Sequence, residues 1–122
     1  GKARPLMRGA PSRVILAHMT AQQIRKLHER QAEAFAEANI GNTLPEVRAA
    51  LRRIRERGYE VTSGEVTPGV TAMSAPVLDA NGVVLGSLSL AIGQVGLSEA
   101  RVHFIAERVV GAAEMVGRAI SG

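Results

Sequence analysis

The 122-residue sequence contains no cysteine and no tryptophan, and these absences remove whole classes of chemistry. Without cysteine there is no disulfide framework, no thiol nucleophile and no cysteine-based metal site. With only two Phe and one Tyr, the core must be assembled from Leu, Ile, Val, Ala and Met, a composition that leans helical. A surface for stacking nucleic-acid bases also lacks its aromatic platforms. No run of about 18 apolar residues occurs, which argues against a membrane span. No basic n-region followed by an apolar h-region is present, so no signal peptide is read. A reducing, cytoplasmic compartment suits such a chain. The sequence starts Gly1-Lys2-Ala3-Arg4 without an initiator Met, so a fragment or a trimmed chain is expected.

What is present is ordinary for one globular unit over residues 1–122: 46% hydrophobic and 21% charged, enough to bury a single core. The net charge of +4 invites a nucleic-acid reading, which the shortage of aromatics weakens.

Helical grammar recurs along the chain. A short helix is expected from about Ser12 to Met19. Thr20-Ala21-Gln22-Gln23 is a capping box, followed by Ile24, Leu27, Gln31, Ala34, Phe35 and Ala38 at three- and four-residue steps, with Gly41 as the stop. Thr43-Leu44-Pro45-Glu46 is a second capping box, with Pro in the first turn where its missing N–H costs nothing. Val47, Ala50, Leu51 and Ile54 form its apolar stripe, and Gly58 ends it. Ser98 caps a last helix, Glu99 favours its N-terminal dipole, and its stripe reads Val102, Ile105, Val109, Ala112, Ala113, Val116, Ile120.

Between the second and last of these the period changes to two. Tyr59–Thr62 reads as a short strand. Val70–Leu78 and Val83–Ile92 read as a hairpin across Asp79-Ala80-Asn81-Gly82, whose Asn-Gly supplies positive φ cheaply. The expected class is α+β, with a sheet so thin that further strands should come from a missing segment or a second subunit.

Catalytic signatures are missing. His18, His28 and His103 fall on three separate helices, without the spacing that zinc ligation or general-base chemistry needs. No Gly-rich phosphate loop and no Gly-x-Ser-x-Gly elbow occurs. Neither a catalytic residue, a metal nor a cofactor is therefore assigned. Arg48, Arg52, Arg53, Arg55 and Arg57 form a basic run that suits a solvated face more than a phosphate contact. The second hairpin strand is unusual. Leu88, Leu90 and Ile92 make one apolar face, while Ser87, Ser89 and Ala91 make a small, partly hydroxylated one. Two readings stand: small residues that let a helix pack closely, or the wall of a ligand pocket.

Arg57-Gly58-Tyr59, Glu65, Gly69-Val70, Ser74-Ala75-Pro76-Val77, Asp79 and Gly82, with the strand that follows, resemble the C-terminal effector-binding domain of IclR-type bacterial transcription regulators. The resemblance spans essentially the whole chain, with Arg4 to Met19 matching the upstream segment. It implies a GAF-like or profilin-like antiparallel sheet flanked by helices, here truncated on its N-terminal side, and no enzyme activity. It implies a small organic effector, a homodimer or tetramer, no membrane, and DNA contact only through a winged helix-turn-helix absent from this chain. Carried over position by position, the ligand-binding residues are Ala10, Pro11, Thr62, Val70, Ala72, Ser89 and Ala91, and Ser87 joins them because it shares the strand face of Ser89 and Ala91. Thr62 stands for a family acid, Ala72 for a position that can be Cys, Ala91 for a second hydroxyl, and Ser12-Arg13 for Gly-Lys. These departures make the site less polar and point toward a larger or more aromatic carboxylate. The alternatives are an oligomerisation scaffold with a vestigial pocket and, more remotely, a GAF-like enzyme fragment.

Overall fold

The computed structural model describes residues 9–64 and 67–121. Glu65 and the first eight residues, which carry part of the resemblance, lie outside them. Four helices and three strands follow one another as α1 (Ala10–Ala17), α2 (Ala21–Glu37), α3 (Leu44–Arg57), β1 (Glu60–Ser63), β2 (Val70–Leu78), β3 (Val84–Gly93) and α4 (Glu99–Ser121). The strands pair antiparallel in the order β1-β2-β3.

Local chemistry sets most boundaries. Thr20 and Gln23 close a reciprocal capping box at the start of α2, with bonds of 3.1 and 2.8 Å. At α3 the Thr43 hydroxyl accepts from the Glu46 N–H, but the Glu46 carboxylate reaches back to the Asn42 N–H, one residue beyond the expected partner. Ser98 accepts from the Arg101 N–H at the start of α4. Helix α1 begins two residues earlier than expected, because Gly9 takes φ 91° at the N-cap and Pro11 enters the first turn.

Three sequence expectations are corrected. Helix α2 stops through Asn39, at φ 60°, and not through Gly41. Gly41 is needed for proximity instead: a Cβ there would lie 2.7 Å from the Val47 backbone nitrogen. In the hairpin turn only Gly82 is left-handed, at φ 80°; Asn81 keeps negative φ because Asp79 Oδ1 accepts the N–H groups of Asn81 and Val83 and shapes the turn itself. On α4 the buried stripe is Ala106, Val109, Ala113 and Gly117, whereas Ala112, Val116 and Ile120 are exposed. The cause is Gly117, whose α-carbon packs so tightly on β2 that a Cβ would meet the Leu78 carbonyl oxygen at 2.5 Å. The smallest residue, not the largest, marks the contact line.

Two cores result. Ala75 and Val77 on β2 pack with Val109 and Ala113 on α4, and Met73 joins Tyr59 and Ala106. On the other side α1, α2 and α3 share a cluster centred on the fully buried Phe35, Val14 and Val47. Helix α1 belongs to both halves, since it also packs on all three strands. The layers therefore run α4, sheet, α1, then α2 with α3.

Gly117→Ala is expected to destabilise the chain by about 1–3 kcal/mol, the usual cost of forcing atoms into a packed contact. The neighbouring Gly111→Ala, in open space, should be neutral or stabilising. Urea unfolding of the two variants decides between them.

Candidate functional site

Strand periodicity places six of the eight candidate residues on one face of the sheet. Register pairs Thr62 with Ala72, Ala72 with Ala91, Val70 with Gly93, and Pro76 with Ser87. Thr62, Val70, Ala72, Ser87, Ser89 and Ala91 thus point away from α4. Ala10 and Pro11 open α1, the helix that packs on this same face. The structure brings all eight to one side of the sheet.

They are not equally open. Ala10 and Thr62 are buried, Pro11, Val70, Ala72 and Ser87 half-buried, and Ser89 and Ala91 exposed. The close-packing reading of the small-residue row therefore applies on the β2 side, and the β3 side is left open. Small side chains on β2 let α1 approach the sheet, as the complete burial of Ser74 records. The β3 half stays uncovered by the described residues beside the helix.

Three residues at this face were not singled out as site residues from sequence. Ser74 Oγ and Ser89 Oγ share a 2.6 Å hydrogen bond across the β2–β3 pair. Identical parity along both hairpin strands was the available signal, since any register that pairs Pro76 with Ser87 also opposes these serines. Glu60 and Arg13 are the other two. Glu60 Oε1 accepts from Arg57 at 2.6 Å and from the Val61 N–H at 2.9 Å, while Oε2 receives Arg13 at 3.5 Å. Arg13 also donates to the Ala38 carbonyl at the end of α2. One carboxylate thus joins α1, α3 and the sheet, and no local pattern could have announced contacts 47 residues apart.

At the start of α1 the N-cap is Gly9, so no side chain caps the first-turn N–H groups. Such groups favour an anionic or carbonyl acceptor. The face consequently offers a hydroxyl at Ser89, an uncapped helix start and apolar walls from Val70, Ala72 and Ala91. That set can hold and orient a small acid. It carries no nucleophile with an adjacent base.

A cavity of about 710 Å3 lies elsewhere, lined by residues of α4, the end of β2 and the ends of α1 and α3. It shares none of the eight residues, and its guanidiniums, Arg55 and Arg118, are matched in number by the carboxylates Asp79 and Glu114. The histidines lie apart as expected: His18 bonds the Val14 carbonyl, His28 packs by Phe35, and His103 Nδ1 shares a 2.8 Å hydrogen bond with the Tyr59 hydroxyl.

Comparison with known proteins gives a consistent result. The family model described as "Bacterial transcriptional regulator IclR C-terminal" matches residues 1–118. The chain is 28% identical over 102 residues to the HTH-type transcriptional regulator BhcR of Paracoccus denitrificans, covering 83% of this chain and 36% of that protein. It is 29% identical over 107 residues to the regulator KdgR of Escherichia coli, covering 84% and 39%. The chain therefore spans little more than a third of the length of these curated relatives. Among solved structures, the C-terminal domain of E. coli KdgR superposes with a TM-score of 0.79 at 23% identity, covering all of this chain and 74% of that one. A transcriptional regulator of the same type from Alicyclobacillus acidocaldarius gives 0.74 at 25% identity, covering all of this chain and 48% of that one. The matched proteins are transcription regulators, not enzymes, and the α+β arrangement is theirs.

Replacing Glu60 with Ala should cost about 3–5 kcal/mol, because it breaks a largely buried ion pair that ties Arg13 of α1 to the sheet. Arg57→Ala should cost much less, since that side chain is 45% exposed and water can take its place at Glu60. Equal losses in chemical denaturation would show that Glu60 does not join the layers.

Proposed function

Because the chain belongs to the IclR C-terminal family of bacterial transcriptional regulators, we propose that it is the effector-sensing domain of such a regulator. It binds a small organic acid on the α1 side of the sheet and associates into dimers or tetramers in the cytoplasm. A separate winged helix-turn-helix domain of the same regulator contacts DNA.

The observation that carries this reading is the half-covered sheet face. Ser89 is exposed yet anchored to the buried Ser74, so its hydroxyl is fixed in orientation before any ligand arrives. Helix α1, which packs against β3, starts without a side-chain cap. A carboxylate can accept from the helix start while the body of the ligand lies on Val70, Ala72 and Ala91. With Thr62 in place of the family's acid and Ala91 in place of its second hydroxyl the face is less polar, which favours an aromatic or larger acid over a very small, oxygen-rich one.

Regulation would then be a population shift. A ligand that touches both α1 and β3 favours whichever subunit arrangement holds those two elements at the right separation. It can do so only by the margin of its differential affinity. Because α1 is tied through Arg13 to Glu60 and to the end of α2, a small adjustment at the ligand is felt in the outer helical layer.

A second reading, an oligomerisation scaffold with a vestigial pocket, rests on the apolar residues that α4 leaves in solvent. Phe104, Met115 and Ile120 are 56, 65 and 62% exposed.

A thermal-shift screen of small aliphatic and aromatic carboxylates distinguishes the two. A true effector at one hundred times its Kd should add about 2.7 kcal/mol of stability. Ser89→Leu should abolish that gain while leaving the fold intact, and unchanged binding would remove Ser89 from the site. A flat screen, with melting that rises with protein concentration, would favour the scaffold.

A further inference from the structure

On the other side of Glu60 from the sheet face lies a small cavity of about 250 Å3. Arg13, Arg53, Arg57, Glu60 and Asn39 line it, with Ile40 and the α3 stripe as its apolar wall. Three guanidiniums and a single carboxylate surround it. Arg57 and Arg13 both lean on Glu60, one to each carboxylate oxygen. Arg53 has no such acceptor: it forms neither an ion pair nor a hydrogen bond with a described residue. The Asn39 side-chain amide is likewise unbonded among the described residues, and its backbone is held left-handed at φ 60°. Arg53 and Asn39 also line the adjoining cavity of about 380 Å3 toward the α2–α3 connection, so the site has an open approach.

We propose that this arginine cavity is an oxyanion site, distinct from the sheet face, that takes phosphate or the phosphate group of a phosphorylated metabolite. The chemistry is that of the donors. Arg53 and Arg57 are one helical turn apart on α3 and so present two planar guanidiniums to one side. Each offers a fork of N–H groups that matches the oxygens of a phosphate, which a lone carboxylate cannot satisfy from its position under Arg57. Asn39 adds a neutral donor. A cation is disfavoured, because Glu60 is already engaged from both sides.

The position gives the site a consequence. An anion here competes with Glu60 for Arg57 and also for Arg13, the side chain that ties α1 to the sheet. Phosphate occupancy therefore loosens or re-aims the helix that covers the effector face, so the two sites are coupled. Coupling of this kind is reciprocal in binding free energy.

The test is titration of the 122-residue chain with inorganic phosphate, and separately with glycerol 3-phosphate, at constant ionic strength against chloride, followed by thermal shift and calorimetry. Phosphate is expected to bind saturably. Arg53→Gln, an exposed position whose change leaves the fold intact, should weaken it at least about tenfold, as loss of a charged hydrogen-bond donor does. Glu60→Gln should bind phosphate more tightly, because it removes the one competing carboxylate; a merely structural role for Glu60 predicts no gain. Equal affinity for both probes identifies free phosphate as the ligand, and tighter glycerol 3-phosphate identifies a metabolite; either supports the site. Ser89→Leu should leave phosphate binding unchanged, so failure here and failure at the sheet face are separable. No saturable binding beyond chloride, or an Arg53→Gln variant that binds like the parent, overturns the proposal.

Discussion

Helix α1 has eight residues, too few to persist alone; four of them are buried and the other four half-buried. Short helices are marginal in water, and their stability comes from packing. What holds α1 is its position between the small face of the sheet and the α2–α3 pair. Because β2 turns the small Ala72 and Ser74 toward it, the helix comes close enough to bury Ser74 completely. A larger side chain at either of these positions would lift the helix and separate the two cores. The architecture depends on that approach.

Electrostatics reinforces the same contact at one end. Glu60 sits at the first residue of β1 and takes Arg13 from α1 and Arg57 from α3, with Arg13 reaching on to the end of α2. Buried carboxylates are tolerated only when hydrogen-bonded and paired, and this one is both. The network fixes where α1 lies along the sheet, a matter that non-directional apolar packing leaves loose. It also stands between two candidate ligand sites. The hydroxylated sheet face lies on one side and the arginine cavity on the other, and each touches an element that Glu60 ties down.

Much of the fold was legible. The capping box at Thr20, the Thr43 and Ser98 side-chain caps, the hairpin and the switch from period 3.6 to period 2 are local signals, and each formed close to where it was read, although Glu46 did not close the box expected at Thr43. The errors share a cause. Gly41 looked like a helix stop and Ile120 like a core residue because sequence patterns assume that function follows residue type. In the structure, Gly41 and Gly117 are where neighbouring backbones nearly touch, and the position of a contact line is set by the partner element. The candidate site was legible in part: the alternation along Val84–Gly93 put Ser87, Ser89 and Ala91 on one face without help from the fold.

The sequence by itself determined the elements, their order, the pairing of the hairpin and which side chains share a strand face, because these rest on interactions between residues a few positions apart. Only the tertiary structure decided that α1 covers half of the small face and leaves Ser89 open, that Ser74 lies beneath it, and that Glu60 joins three layers. Those facts depend on contacts between residues roughly 50 positions apart or more, such as α1 with β2 and β3, whose geometry is fixed only when the layers pack together.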